Sequence, residues 1–342
     1  MATHKTFMAR EIAEIPTMFE RQLQDGLDQY WEAGAKLAAS NLRGFVTCAR
    51  GTSDHAATYF KYLIETQTGL PTASIGPSVA SVYEAQLKLD GFASIAFSQS
   101  GGSPDLTKLQ AAAKKGGAET ISVLNVVDSL LAEASDTVLP VYAGPEKAVA
   151  ATKSYVGMLF ASLGILAGFT NNKELKTALA DLPQLAQATL QVDWGAASVP
   201  VARAGSLFCI GRGPGYAVAA EAALKFKETC RLHAEAYSAA EMLHGPVAIA
   251  GDQFAAMLFR PNDAAAQSID AAAMKLRQQG ATVFMIGNAS DKQSLPVPSS
   301  ANPLLDPVLQ AIAFYRFVED LSLRLGQNPD APAGLKKVTE TV

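Results

Sequence analysis

The sequence is poor in cysteine, in charge and in long apolar runs, and each shortage excludes a class of protein. The three cysteines form no CxxC pair, so neither a disulfide framework nor a cysteine zinc site is expected. A net charge of −4 gives no basic surface for nucleic acid. The longest nearly apolar run, residues 155–169, is shorter than the roughly 18–20 residues that cross a bilayer. The N-terminus carries no apolar signal segment. We therefore expect a cytoplasmic protein that binds neither nucleic acid nor a membrane.

The composition is that of a folded protein with a large core. Hydrophobic residues make up 49% of the 342 residues and charged residues 18%, which rules out a disordered chain. The length favours two domains. No dinucleotide fingerprint and no GxxxxGK[ST] phosphate loop occurs, so no nucleotide cofactor is expected.

The sequence repeats itself at an offset of 162 residues. A constant offset of domain size indicates two copies of one unit rather than a solenoid. The matched positions are Arg50-Gly51 with Arg212-Gly213, Thr120 with Thr282, Pro145 with Pro307, and Gly164 with Gly326, the last pair being predicted to end an apolar helix.

Short, continuously apolar strands alternate with helical stretches in both copies, which predicts two doubly wound, mainly parallel five-stranded sheets of the α/β class. The predicted strands are 45–49, 71–75, 92–97, 120–125 and 137–141, then 206–210, 254–259, 281–286 and 295–298. The predicted organisation is a helical extension (1–40), a first domain (41–170), a linker helix (171–200), a second domain (201–326) and a tail (327–342).

Two strand-to-helix turns carry side chains suited to a phosphate. The first turn, SQSGGSPD at residues 98–105, has Ser103 as a helix N-cap and Pro104 at the first helical position. Its glycines let N–H groups converge, and the helix N-terminus adds a partial positive charge. An ordinary capped turn remains the alternative. The second turn, RGTSD at 50–54, is expected to lie beside the first. A third, Ala150–Lys153, opens the apolar helix, and Lys153 there is either a ligand cation or a solvated helix start.

A polar cluster in the second copy has groups that could move protons. Glu221, Lys225 and Glu228 share one helix face at i, i+4 and i+7. That face is either a general base with its partner or a solvated row of ion pairs, and both interpretations stay open. His244 lies in a turn among acidic residues, which favours an acid–base role, whereas His233 is interpreted as structural. Because the two histidines lack HExxH spacing, no metal site is expected.

These motifs together resemble the sugar isomerase (SIS) family, in particular the isomerase half of glucosamine-6-phosphate synthase and, most closely, the stand-alone glucosamine-6-phosphate deaminases of the SIS type. The resemblance spans almost the whole chain and implies two tandem SIS domains, a sugar 6-phosphate substrate and no metal or cofactor. The matching segments are MAREIAEIP (8–16), RGTS (50–53), SQSGGSPD (98–105), VAATK (149–153), EAALKFKE (221–228), HAEAYSAAEMLHGP (233–246) and LKKVTETV (335–342).

The resemblance also implies a role for each matching residue. Glu228 resembles the base that moves a proton between C1 and C2 of the sugar. His244 resembles the group that opens the sugar ring, supplied by the neighbouring subunit of a homodimer. Lys225 resembles a neighbour of the base that tunes it or takes part in catalysis. Lys336 resembles the tail lysine that reaches the active site, and Lys337 takes that place in the alternative alignment. The residues matching the phosphate site are Thr52, Ser53, Ser98, Gln99, Ser100 and Ser103, and those matching the sugar site are Val149, Ala150 and Glu221.

The expected activity is that of a glucosamine-6-phosphate deaminase, which forms D-fructose 6-phosphate and ammonia from D-glucosamine 6-phosphate and water. This expectation depends on the missing glutaminase domain of the synthase, whose N-terminal cysteine has no counterpart here. The alternatives are an aldose–ketose phosphosugar isomerase, a deaminase for galactosamine 6-phosphate, and the isomerase half of a glutamine–fructose-6-phosphate aminotransferase. A phosphosugar-sensing module is the alternative outside enzymes.

Overall fold

Two five-stranded parallel sheets organise the chain in a computed structural model that describes residues 5–287 and 293–337. The strand order is β2-β1-β3-β4-β5 in one sheet and β7-β6-β8-β9-β10 in the other, which confirms the predicted α/β fold with two doubly wound parallel sheets. The strands are β1 (Gly44–Cys48), β2 (Thr72–Ser74), β3 (Phe92–Ser98), β4 (Glu119–Leu124), β5 (Thr137–Pro140), β6 (Ser206–Gly211), β7 (Ala234–Ser238), β8 (Phe254–Phe259), β9 (Thr282–Ile286) and β10 (Ser294–Leu295).

Helices connect the strands and fill the segments predicted as extension and linker. Up to the second copy they are α1 (Phe7–Ala13), α2 (Ile15–Arg21), α3 (Leu27–Ala39), α4 (Thr52–Thr68), α5 (Ser78–Ser81), α6 (Pro104–Lys115), α7 (Leu130–Glu133), α8 (Lys153–Phe169), α9 (Lys173–Ala178), α10 (Leu182–Thr189) and α11 (Gly195–Arg203). In the second copy they are α12 (Gly215–Lys225), α13 (Ala239–Met242), α14 (Ala266–Gln278) and α15 (Asp306–Arg324). Residues 22–26 and 226–230 form π-helical turns.

The chain forms two compact units, each assembled from separate stretches. The first unit, which holds the first sheet, takes Thr17–Glu146, Lys153–Asp181 and the segment from Lys336 onwards. The second unit, which holds the second sheet, takes the N-terminal segment up to Pro16, Lys147–Thr152 and Leu182–Leu335. The predicted boundaries at 41–170 and 201–326 stay predictions.

The duplication is visible in the backbone up to the fourth strand of each sheet. Strands β3 and β8 begin 162 residues apart. Gly51 and Gly213, at the same offset, have φ values of +55° and +56°, so both copies have a glycine with positive φ shortly before α4 and α12. The residue after each glycine differs, Thr52 in the first copy and Pro214 in the second.

The offset fails after the fourth strand, and two matched pairs are therefore wrong. The connection between β4 and β5 contains α7, whereas the corresponding connection between β9 and β10 is five residues shorter. As a result Gly164 lies inside α8, while Gly326 follows the end of α15. Pro145 precedes its helix by several residues, but Pro307 sits in the first turn of α15.

One strand of the second sheet was not predicted. Strand β7 pairs in parallel with β6 and lies at the edge of the sheet. Its sequence, AEAYS, is half-buried beyond Ala234. Because the prediction searched for continuously apolar runs, which mark strands buried on both faces, this polar edge strand was interpreted only as part of a polar cluster.

The apolar run that ends at Phe169 is the central helix of the first unit. Nearly all of α8 is buried, and α3 packs closely along it. A side chain at Gly34 would come within 2.0 Å of the Ile165 carbonyl oxygen, and one at Gly168 within 2.0 Å of the Trp31 carbonyl oxygen. Glycine at these positions lets the two backbones touch. Within the described ranges, no helix combines the length and apolarity that crossing a bilayer requires.

Gly51 provides a test of the turn that begins α4. Its φ of +55° and ψ of −132° lie in a region that is almost confined to glycine. We expect Gly51→Ala to lower the free energy of unfolding by about 1–3 kcal/mol, because no neighbouring atom is close enough to add a steric term. Chemical denaturation measures the loss. Gly251→Ala is the matched control, since this glycine also lies in open space but without a positive φ. Equal stability of the two variants would contradict the expectation.

Candidate functional site

The two hydroxyl-rich turns of the first unit lie side by side at the carboxyl edge of the first sheet. Strands β1 and β3 are hydrogen-bonded neighbours, with Cys48 opposite Ala96 near their ends. The connections from β1 and β3 leave toward opposite edges of the sheet, since β2 and β4 flank the pair. Such a switch point leaves a crevice outside the strand ends, where ligands bind in open α/β sheets.

An ion pair joins these turns. The Arg50 guanidinium donates from Nε and Nη2 to Oδ2 of Asp105, at 3.0 and 2.8 Å. Asp105 is buried in the first turn of α6, where a carboxylate also complements the helix dipole. The ion pair connects the SQSGGSPD turn to the RGTSD turn. It also compensates the charge of the Asp105 carboxylate at the start of α6. Neither residue was singled out for this role from the sequence, because they lie 55 positions apart.

Hydroxyl groups in the SQSGGS turn are arranged to donate protons. The Ser98 Oγ accepts from the Gly101 N–H at 3.0 Å, and the Ser100 Oγ accepts from the Gly102 N–H at 3.3 Å. Since each hydroxyl has one proton as well as acceptor lone pairs, these bonds leave the proton for a ligand oxygen. Gly101 has a φ of +63°, and a side chain there would collide with the Ser129 Oγ. Ser103 is the N-cap residue as predicted, yet its side chain makes no capping bond.

The second turn presents the N-terminus of a long helix. Thr52 and Ser53 are half-buried in the first turn of α4, which runs for 17 residues. The partial positive charge at such an end favours an anion. Burial raises the pKa of Asp54 in the same turn, although His55 and Arg50 oppose that shift.

Val149 and Ala150 belong to a short segment of the second unit whose backbone is held on both sides. The Val149 N–H donates to the Asp330 carbonyl oxygen at 3.0 Å. The buried Glu11 carboxylate accepts from the N–H groups of Lys147 and Ala148. Ala150 is itself buried. The segment is thus rigid, and any sugar contact it makes would come from a fixed backbone.

A buried ammonium organises the polar cluster of the second unit. The Lys225 Nζ lies 3.1 Å from Oε1 of Glu221 and 2.7 Å from Oε2 of Glu228. The side chains of Lys225 and Glu221 are 0% and 1% exposed, whereas that of Glu228 is 22% exposed. Burial alone lowers the pKa of Lys225, but the two carboxylates outweigh it and the net shift is upward. The interpretation as a solvated row of ion pairs is therefore wrong, because only Glu228 reaches the surface.

The helix changes its geometry at this cluster. Helix α12 ends at Lys225 and continues as a π-helical turn over residues 226–230, closed by Arg231 with a φ of +55°. Single π-helical turns occur frequently at functional sites. Glu228 lies within this turn and contacts Lys225 at a spacing of three residues.

A tyrosine that the sequence analysis did not identify completes the cluster. The Tyr315 hydroxyl on α15 donates to Oε1 of Glu221 at 2.8 Å, the same oxygen that faces Lys225. Tyr315 is fully buried. Within an apolar helix a single tyrosine has the pattern of a core residue, so the sequence carried no signal for this contact.

The two histidines of the second unit are both exposed. His244 follows α13 in a turn, and its N–H donates to the Glu241 carbonyl oxygen at 2.9 Å. Exposed apolar side chains, Leu243 and Ile249, lie on either side of it along the chain. His233 Nδ1 lies 3.3 Å from the Ser206 Oγ.

The two candidate tail lysines have different surroundings within the first unit. The Lys337 Nζ lies 3.2 Å from Oε2 of Glu146, whose side chain is fully buried. Glu146 also accepts from the N–H and hydroxyl groups of Ser154 at the start of α8. Lys153, in the third turn, is buried as the first residue of that helix rather than solvated. Lys336 is exposed. Residues 338–342 of the LKKVTETV segment lie outside the described residues.

Comparison with known proteins gives one matching family model, the SIS domain, over residues 41–165 and 201–294. An isomerizing glutamine–fructose-6-phosphate aminotransferase from Thermotoga maritima is 32% identical over 98% of this chain. The chain spans 58% of the length of that relative. A crystal structure from Silicibacter pomeroyi DSS-3, provisionally described as a phosphosugar isomerase, is 41% identical, with a TM-score of 0.90 over 95% of this chain and 100% of the other.

A third similarity concerns the fold alone. The C-terminal domain of glucosamine-fructose-6-phosphate aminotransferase from Francisella tularensis is 23% identical. It has a TM-score of 0.87 and covers 96% of this chain and 99% of the other.

The ion pair between the two turns predicts how the first unit holds an anion. We expect Arg50→Met to weaken binding of inorganic phosphate, used as a probe anion, by about tenfold, because the buried Asp105 carboxylate would then repel an anion at these turns without compensation. Adding Asp105→Asn to Arg50→Met should recover most of the loss. Calorimetric titration measures both.

Arg43→Met is the matched control. Arg43 directly precedes β1, so it lies at the amino ends of the strands, and its guanidinium is over the ring of Phe92. Equal weakening by the two arginine variants would show that net charge, rather than the joined turns, governs binding.

Proposed function

The chain belongs to the SIS domain family, and from this premise we propose that it is a glucosamine-6-phosphate deaminase, an enzyme that converts D-glucosamine 6-phosphate and water to D-fructose 6-phosphate and ammonia. The observation that carries the proposal is the partly exposed Glu228 carboxylate, held at 2.7 Å by an ammonium that is itself fully buried. A carboxylate held in this way is oriented and still accessible to a substrate proton.

The first unit supplies phosphate recognition in this proposal. Ser53, Ser98, Ser100 and Ser103 donate hydroxyl protons, and the N-terminal ends of α4 and α6 add N–H groups and a partial positive charge. The phosphate dianion then needs no lysine or arginine of its own. The Arg50 charge is already matched by Asp105.

The second unit supplies the proton transfer. In the open-chain sugar the C1 aldehyde makes the C2 proton acidic enough for a carboxylate base. Glu228 removes that proton while the C1 oxygen takes up another, which gives an enolamine. The proton on Glu228 then returns to C1 and the nitrogen loses one, which leaves an imine at C2. Water adds to the imine carbon, ammonia leaves, and the ketone of fructose 6-phosphate remains. Every atom is accounted for without an oxidant or reductant.

The amino group distinguishes a deaminase from a plain isomerase. The aminotransferase from Thermotoga maritima is named for amination of fructose 6-phosphate, and this chain matches it along nearly its whole length. Hydrolytic loss of ammonia would be the reverse of amination by free ammonia, whereas the name of that relative gives glutamine as the nitrogen donor. Simple aldose–ketose isomerisation is the second candidate, because the same base would serve it and the solved relative from Silicibacter pomeroyi bears that description.

We propose that His244 opens the sugar ring of a substrate bound to the neighbouring subunit of a homodimer. The support is its place in an exposed turn, from which its ring is accessible to a second copy of the chain. We propose a cytoplasmic location because the three cysteines are free and buried, which suits a reducing compartment.

The first test measures the reaction itself. Incubation with glucosamine 6-phosphate should release ammonia and fructose 6-phosphate in equal amounts. Glu228→Gln should lower the rate by at least about a hundredfold, the usual contribution of a general base. Glu235→Gln, in the same unit but hydrogen-bonded to Tyr237, is the matched control and should keep the parental rate.

The outcomes separate the two candidate reactions. Interconversion of glucose 6-phosphate and fructose 6-phosphate, with no ammonia from gluco-, galacto- or mannosamine 6-phosphate, would replace the deaminase by the isomerase. No turnover of any of these sugars, with Glu228→Gln indistinguishable from the parent, would exclude both enzymes.

The second test identifies the tail lysine. We propose Lys337, because its ammonium meets the buried Glu146 carboxylate, and we expect Lys337→Met to lower kcat by at least about tenfold. Lys336→Met removes the same charge from the neighbouring exposed position and should change kcat less than twofold. The opposite ranking of the two variants would restore Lys336 to the role.

A further inference from the structure

Glu221, Lys225 and Tyr315 form a chain of contacts behind Glu228, all within the second unit. The Tyr315 hydroxyl and the Lys225 ammonium both contact Oε1 of Glu221, at 2.8 and 3.1 Å, and Lys225 then reaches Glu228 at 2.7 Å. We infer that Tyr315 is a positioning residue that sets the strength of the base by holding Glu221 as the second partner of Lys225. This inference rests on the proposed role of Glu228.

Burying the Tyr315 hydroxyl costs desolvation free energy, and packing of the core does not require a hydroxyl at this position. Tyr315 is fully buried among aromatic side chains and lies 6.3 Å, ring to ring, from Phe314. Phenylalanine would fill the same volume without a polar atom to desolvate. The hydroxyl instead meets a carboxylate that is 1% exposed. Buried carboxylates tend to take up a proton unless donors hold them as anions, and Tyr315 is such a donor.

The ionisation of Glu221 determines how strongly the Lys225 ammonium interacts with Glu228. With both carboxylates ionised, the ammonium is shared between them, and Glu228 keeps the electron density that a base needs. Without the Tyr315 hydroxyl, Glu221 is a poorer partner and Lys225 turns more fully to Glu228. A carboxylate bound more tightly to an ammonium accepts a proton less readily, so the base weakens although it has not moved.

The other titratable groups near this chain of contacts have partners of their own. On the π-helical turn, Lys227 donates to the Ala234 carbonyl oxygen at 2.9 Å, and burial raises the pKa of Cys230 to about 12, which keeps that thiol neutral. On β7, which packs against α12, the Tyr237 hydroxyl donates to Glu235. None of these bonds involves the Tyr315 hydroxyl.

The test is the Tyr315→Phe variant of the full chain. We expect kcat for ammonia release to fall about tenfold with KM changed less than twofold, because phosphate and sugar binding are untouched while the base is weaker. Glu221→Gln should have a similar effect, and the double variant should be no slower than Glu221→Gln alone. Losses that multiply in the double variant would overturn the inference, because they would mean that Tyr315 acts independently of Glu221.

Tyr30→Phe is the matched control. Tyr30 is buried in α3 of the first unit, and its hydroxyl donates to the Pro140 carbonyl oxygen, so this variant also loses a buried hydroxyl but keeps the cluster. We expect comparable losses of thermal stability in the two tyrosine variants and parental kcat in Tyr30→Phe. A kcat in Tyr315→Phe that equals that of Tyr30→Phe would overturn the inference.

A readout without turnover separates this inference from the proposed function. In protein labelled with ¹³C at the glutamate carboxyl carbons, the Glu228 signal is assigned by its loss in Glu228→Gln. In Tyr315→Phe the chemical shift of this signal should differ from that of the parent, because Lys225 turns more fully to Glu228, and in Tyr30→Phe it should stay unchanged. If the parent releases no ammonia but this difference occurs, the proposed function fails and the inference stands. An unchanged Glu228 signal in Tyr315→Phe overturns the inference whatever the activity.

Discussion

The ammonium of Lys225 is the group on which the second unit depends. A charge with no exposure to water is stable only where opposite charges surround it, and Glu221 and Glu228 meet that requirement from one side each. The neighbouring elements add to these contacts. Helix α12 gives way to a π-helical turn directly after Lys225, and Tyr315 on α15 donates its hydroxyl to Glu221. Of the cluster, Glu228 is the member that reaches the surface.

The first unit presents hydroxyl groups and two helix N-termini at the turns proposed to hold a phosphate. Arg50, the cation that joins these two turns, is paired with Asp105. What remains are hydroxyl protons whose oxygens are already fixed by the N–H groups of Gly101 and Gly102. Dipoles oriented before a ligand arrives need no reorganisation when it binds. The proposed phosphate site therefore depends on local dipoles rather than on the net charge of the chain.

Much of the fold could be predicted from the sequence because parallel strands buried on both faces leave continuous apolar runs, and nine of the ten strands in the described residues overlap a predicted segment. The exception, β7, is an edge strand with one face near water, so its pattern was polar. The turns with Ser98–Ser103 and Thr52–Ser53 were found for a similar reason, as glycines and hydroxyls are unusual directly after a buried strand. Tyr315, Glu146 and the partnership of Arg50 with Asp105 were not found. Each depends on a contact between residues far apart in the chain, and none has a local pattern that differs from ordinary core or surface sequence.

The paired glycines, Gly51 and Gly213, keep the same backbone conformation in the two copies, but the residues that follow them do not have the same donors. Thr52 has an amide proton and a hydroxyl, whereas Pro214 has neither to offer at the matching position. The second copy therefore lacks two hydrogen-bond donors that the first copy has at the start of its helix. Replacing the first turn by the second would remove an amide proton and a hydroxyl from that position without changing the sign of the preceding φ.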